Sequence, residues 1–154
     1  MIMEDLSLHI LDVAENSVAA GAKRIEIRIE EKPEKNLLEI EIIDDGCGMD
    51  EEEIKKALDP FYTTRTTRRV GLGLPLLAQS ARETGGSIEI DSRPGKGTRI
   101  KATFIYSHID RRPIGDLYQT LKVLILGNPG VDFLFVHKKG EEEYRLDTRE
   151  LNKK

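Results

Sequence analysis

Asp12 and Asn16 stand four residues apart in LSLHILDVAENSVAA. On a helix that spacing puts them on one face, about 5–6 Å apart at Cβ. The carboxamide oxygen of Asn16 is a hard, neutral ligand suited to one position of a Mg2+ shell otherwise filled by phosphate oxygens and water. A carboxylate one turn earlier, Asp12, can orient or deprotonate a water that attacks phosphorus. Asn is locally unfavourable inside a helix, so a compensating role is expected for it. The second cluster is Asp44-Asp45-Gly46-Cys47-Gly48. Asp44 can accept from an exocyclic amine such as adenine N6, and Gly46 and Gly48 let backbone approach a ring or a phosphate where a Cβ would clash. Cys47 reads as a small packing residue, with no case as a nucleophile. The third cluster, Gly71-Leu72-Gly73-Leu74-Pro75, leads into a helix, where free backbone N–H groups make an anion site. It matches neither common phosphate loop: Leu76 spoils GxGxxG, and no GxxxxGK run occurs. Upstream, Thr63, Thr64, Arg65, Arg68 and Arg69 gather hydroxyl and guanidinium donors that match polyphosphate oxygens. Each cluster alone is equally a polar stripe, a strand-ending turn or a solvated basic loop. What makes them specific is their order: DVAENSVAAGA, DDGCGM, DPFYTTR, GLGLPLL.

The elements that must carry these residues follow from periodicity. From about Asp5 to Ala20, Leu6, Ile10, Val13, Ala14, Ser17 and Val18 recur at helical spacing, with His9, Asp12 and Asn16 on a second stripe and Gly21 as terminator. RIEIRIEE and LLEIEII alternate as strands of a hairpin turned by KPEKN. Asp50 and Glu53 form a capping signature for a short helix over EEEIKKAL. Residues 59–72 lack a sustained period and form a loop of lid length. Pro75 suits the first turn of the next helix, which Gly85-Gly86 stop. SIEIDS and TRIKATFIY are two more strands, their Ile88, Ile90, Ile100, Ala102 and Phe104 on one face. One sheet face is therefore buried under helices and the other is wet: an α+β two-layer sandwich. Beyond residue 106, PIGDLYQTLKVLILGN predicts a helix ending near Gly127, and VDFLFVHKKGEEEYRLDT a hairpin turning at Lys139-Gly140. The expected division is a domain over 1–106 and a C-terminal extension over 107–154, packed on the sheet or free to bind a partner.

Composition bounds the function. Twenty-four Lys plus Arg against 28 Asp plus Glu leaves a net charge of −4, which argues against a nucleic-acid binder. One cysteine allows no internal disulfide framework, no apolar run is long enough to span a bilayer, and the acidic start is unlike a signal peptide. A cytoplasmic protein without membrane contact is expected. His9, His108 and His137 share no metal-ligand spacing and read as structural or surface residues.

Over about residues 5–105, the ordered motifs resemble the GHKL superfamily of DNA gyrase, the large heat-shock chaperone, histidine kinases and the mismatch-repair ATPase. ENSVAAGAKRI is similar to the mismatch-repair and gyrase form of the asparagine box, and DPFYTTR and GLGL to the histidine-kinase form of the lid and second glycine box. The resemblance implies the Bergerat fold: a mixed, mainly antiparallel sheet with helices on one face, holding ATP with Mg2+ beneath a lid. It implies Asn16 as the Mg2+ ligand and Asp44 as the adenine-amine acceptor. By the same resemblance Gly46 and Gly48 lie along the adenine side, and Gly71, Gly73 and Leu74 at the phosphate end. Thr64 and Arg65 fall in the lid, and Thr98 of GKGT supplies the hydroxyl near adenine. Hydrolysing members carry Glu as general base where this chain has Asp12, one methylene shorter. Ala19 and Ala20 stand where many histidine kinases have a basic or aromatic residue. The expectation is an ATP-binding regulatory ATPase or protein kinase acting on a separate protein partner, as anti-sigma-factor kinases do. A non-catalytic ATP-dependent switch is the rival reading, and a homodimer is among the assemblies implied.

Overall fold

Alternation of Ile with charged residues dictates the layout of the sheet. The computed structural model describes residues 5–59, 73–108 and 111–151. Strands β1 (Arg24–Lys32) and β2 (Leu37–Asp44) pair antiparallel through a 3-10 turn at Pro33–Lys35, with Asn36 left-handed. β3 (Ser87–Ser92) and β4 (Thr98–Ile105) form the second hairpin, and β4 lies antiparallel to β2. β5 (Asp132–Lys139) runs parallel to β1 and turns into β6 (Glu142–Asp147). The result is one six-stranded mixed sheet in the order β3-β4-β2-β1-β5-β6. The expected mainly antiparallel α+β architecture is what forms.

One face buries Ile25, Ile27 and Ile29, Leu38, Ile40 and Ile42, and Ile100, Ala102 and Phe104. Helix α1 (Leu6–Ala19) covers it with Leu6, Ile10, Val13 and Ala14, and α3 (Gly73–Glu83) with Leu74, Leu77 and Ala81. At about 25 cal/mol per Å2 of apolar area removed from water, this face is the main source of stability. The opposite face carries charge ladders: Glu39 bridges Lys32 and Lys101 (2.9 Å), and Arg99 Nε donates to Glu41 at 2.7 Å. Such exposed pairs contribute little each. Along 133–136 of β5, however, both faces are buried, and the short α5 (Thr148–Leu151) packs on that strand, its Thr148 hydroxyl accepting from Phe133 N–H.

The predicted capping box of α2 (Glu51–Leu58) is present, with Glu53 N–H donating to Asp50 at 2.8 Å and Asp50 N–H to Glu53 at 3.2 Å. The predicted tail helix starts later than PIGDLYQT suggests: α4 spans Leu117–Gly127 and is capped by Asp116. The reason is a competing demand on Pro113 and Ile114. Their carbonyls accept the Leu6 and Ser7 N–H groups at 2.9 and 2.8 Å, satisfying donors at the start of α1 that no side chain of Asp5 caps. Segment 111–151 thus adds two strands to the sheet and packs α4 against α1.

Two measurements check this account. Ile40→Ala, in the central strand, lowers the unfolding free energy by about 2–5 kcal/mol in urea titrations. Asp147, hydrogen-bonded by Arg149, has its carboxyl held down to about 2 against the opposing effect of burial. A lowered carboxyl stabilises the fold above the usual carboxylate range, and that contribution disappears as pH falls through its folded value. Asp147→Asn therefore flattens the acid limb of stability between about pH 4 and pH 2.

Candidate nucleotide site

α1 and the end of β2 are tied together at three points. Ser17 Oγ donates to Asp44 Oδ2 at 2.6 Å, Cys47 N–H donates to the Ala20 carbonyl at 2.9 Å, and Gly46 packs on Ala20. The other Asp44 oxygen accepts the Gly46 N–H at 2.9 Å. A carboxylate offers about four lone-pair sites, so Asp44 still has acceptor capacity toward a ligand. Asp45, in contrast, is committed to the chain and accepts Lys23 and Arg24 N–H at 2.8 and 3.0 Å. Burial pushes its carboxyl up, but these backbone donors and the Lys23 charge outweigh it, so it lies below the usual carboxylate range.

Beside this joint lies a cleft of about 240 Å3. Val13, Ala20, Met49, Leu74 and Ile100 give it apolar walls, while Asn16, Ser17, Asp44, Glu53 and Thr98 supply polar groups. That mix, apolar walls with a few converging polar atoms, is the usual make-up of a small-molecule site. Thr98 pairs with Asp44 across β2 and β4. Its hydroxyl lies 2.8 Å from Ser92 Oγ, which in turn accepts Met49 N–H (2.8 Å) and donates to the Gly97 carbonyl (2.9 Å). Ser92 has one proton, spent on Gly97, so Thr98 is the donor to Ser92 and keeps its lone pairs for the cleft.

Close approach requires glycine at two of the positions picked out by the sequence. A Cβ on Gly73 would come within 2.4 Å of Asp12 Cβ and 3.1 Å of the His9 carbonyl, so α3 meets α1 at Asp12. This contact brings Gly73 and Leu74 beside the Asp12–Asn16 stripe. Gly48 has φ +72, and a Cβ there would lie 1.9 Å from the Arg93 carbonyl oxygen.

The structure therefore gathers Asn16, Asp44, Gly48, Leu74 and Thr98 along one cleft, with Gly46 against Ala20 and Asp44 and with Asp12 and Gly73 at the α1–α3 crossing. Thr64, Arg65 and Gly71, with Thr63, Arg68 and Arg69, lie outside the described residues. Cys47 corrects the sequence reading: it is exposed, not packed, because its N–H is held by Ala20 while its side chain lies along the cleft. Ser17, Ser92 and Met49 escape the sequence reading. Only Ser17 leaves a trace, a hydroxyl within an apolar helical stripe, buried to 4% exposure. Among the described residues no group of three His, Cys, Asp or Glu could hold a metal by itself, and no helix is long and apolar enough to cross a membrane.

Residues 3–107 match the family described as histidine kinase-, DNA gyrase B-, and HSP90-like ATPase. The chain is similar to the sensor histidine kinase YxdK of Bacillus subtilis, at 30% identity over 107 residues, covering 65% of this chain and 32% of the relative. It is also similar to the anti-sigma F factor of Thermoanaerobacter sp. strain X514, at 39% identity over 69 residues, 44% of each chain. It thus spans less than half the length of either. In shape it is similar to the Aquifex aeolicus MutL ATPase domain complexed with ADP, with a TM-score of 0.55 and 18% identity, covering 96% of this chain and 64% of the other.

The α1–α3 contact has a direct test. Gly73→Ala lowers stability by about 1–3 kcal/mol through overpacking against Asp12. Gly127→Ala, where a Cβ meets nothing within 4 Å, leaves the melting temperature within a degree or so of the parent.

Proposed function

This chain belongs to the family of histidine kinase-, DNA gyrase B- and HSP90-like ATPases, and from that premise we propose that it binds Mg·ATP in the cleft between α1 and the end of β2. The observation that carries this reading is the Asp44 carboxylate, fixed by Ser17 and Gly46 with acceptor capacity left over, beside apolar walls. In this reading Asp44 accepts the adenine amine and the Thr98 hydroxyl serves as a neighbouring acceptor. The donor set fits the metal that accompanies the nucleotide: one neutral carboxamide oxygen, Asn16, suits an ion whose remaining ligands are phosphate oxygens and water. Asn16 would hold that ion, which when bound neutralises phosphate charge.

Asp12 stands one turn before Asn16, against the start of α3, and would orient the acceptor, a water or a hydroxyl, by hydrogen bonding. The N–H groups at the start of α3, together with Thr64 and Arg65 if they close over the site as the family resemblance implies, would stabilise charge on the transferring phosphoryl group. We assign the whole the role of a regulatory ATPase or protein kinase directed at a separate protein partner. Similarity to a sensor kinase and to an anti-sigma factor supports that assignment. A second reading, a switch with negligible turnover, draws on one specific observation: the base position holds Asp12 rather than the longer Glu.

Calorimetry decides the binding site. Asp44→Ala weakens Mg·ATP binding by about ten- to a hundredfold, the value of a hydrogen bond to a charged group, and Asn16→Ala, which removes the carboxamide ligand of the ion, weakens it as well. Unchanged affinity in both variants rejects the site. Single-turnover hydrolysis then separates the two roles. If Asp12 is the base, Asp12→Ala slows turnover by about 10^2- to 10^4-fold and Asp12→Glu retains it. Equal, slow turnover in parent and Asp12→Ala supports the switch.

A further inference from the structure

A second cavity, of about 350 Å3, opens where the N-terminal end of α4 meets β5 and β6, away from every residue of the cleft described above. Its walls are rings. Phe135 forms the floor at 3% exposure, while Tyr118 and Tyr144 stand at 68% and 39%. Tyr118 and Tyr144 lie 5.5 Å apart at 59°, Phe135 and Tyr144 6.0 Å apart at 61°, and Phe135 and His137 6.4 Å apart at 71°. Planes meeting at such angles form corners of a concave wall rather than a flat stack. The chain has only four Tyr and four Phe, and three of those eight border this one cavity.

Charge narrows the ligand. Among the described lining residues there is no Lys or Arg, and Asp116 contributes a carboxylate. That carboxylate caps α4 through Gln119 N–H, which offsets the partial positive charge of the helix end. Behind the wall, Glu31 occupies the inward register of β1 after Ile25, Ile27 and Ile29. It is buried, and its two oxygens are matched to His137 Nε2 (2.7 Å) and Tyr106 OH (3.0 Å). The pair fixes the His137 ring as a wall. The described lining thus combines aromatic side chains with one carboxylate and holds no Lys or Arg, a composition that favours an organic cation over an anion.

We propose that the cavity bounded by Tyr118, Tyr144, Phe135, His137 and Asp116 is a binding site for an organic cation, an ammonium or guanidinium group. The group belongs either to a free small molecule or to a Lys or Arg side chain on a protein. The inference stands independently of nucleotide binding.

The test is an NMR titration of the full chain, following residues 115–121 and 133–146. Choline probes a free ammonium and N-acetyl-arginine amide a side chain. The neutral choline isostere 3,3-dimethyl-1-butanol controls for shape. At least one cation shifts these resonances saturably and binds about fivefold or more tighter than the isostere. Preference for choline identifies a free ammonium compound as the source, and preference for the arginine derivative a protein side chain. Tyr118→Leu, which keeps apolar bulk on an exposed site, and Asp116→Asn, which keeps a competent cap, each weaken cation binding about three- to tenfold and leave isostere binding unchanged. Saturable isostere binding as tight as that of both cations, cation binding indifferent to both substitutions, or no saturable shift with either cation overturns the proposal.

Discussion

Ser17 and Asp44 form the bond on which the site depends, because it joins the helical layer to the sheet at the point where β2 ends. A half-buried carboxylate needs donors, and one donated by a helix also fixes how that helix is rotated. Asn16 precedes Ser17, so the same bond sets the side of the cleft on which Asn16 stands. Asp12 follows from the helical repeat, and its position in turn limits how near α3 can come. With Gly73 in place the two helices touch at Asp12; with any larger residue they would be pushed apart. The geometry of the cleft is thus one chain of constraints: sheet end, helix rotation, helix approach.

The sheet supplies the rigidity this requires. Its inward face is nearly all Ile, Leu and Phe, and its outward face is largely charged ladders. Register is therefore fixed, since a slip of one residue would exchange the two faces. Fixed register is what places Thr98 opposite Asp44 and Glu31 behind His137.

Periods of two and of 3.6 made the strands and most helices legible, because burial on one face enforces them. The capping box of α2 was legible too, being a local exchange of hydrogen bonds between Asp50 and Glu53. The start of α4 was not. Its sequence from Pro113 is compatible with a helix, and only the needs of the distant Leu6 and Ser7 N–H groups hold Pro113 and Ile114 out of it. Cys47 was misread for a similar reason, since nothing local reveals that Ala20 fixes its backbone. Ser92 and Met49 join the cleft through hydroxyl relays across strands, which leave no spacing in the sequence. Glu31 sat in plain view at an inward strand position, but its partners lie 75 and 106 residues away.

The parallel pairing of β1 with β5 joins Arg24 to Asp132 and Phe135 to Ile27. Contacts between segments so remote along the chain carry a large loop-closure entropy and form late. During synthesis β1 would emerge with one edge already zipped to β2 and the other bare, a row of unpaired amides beside an Ile-rich surface. Until the ribosome has delivered β5, that edge is open to strands of other nascent chains. The last third of the polypeptide therefore acts as an intramolecular guard for the first, and yields of soluble protein depend on how soon after release it arrives.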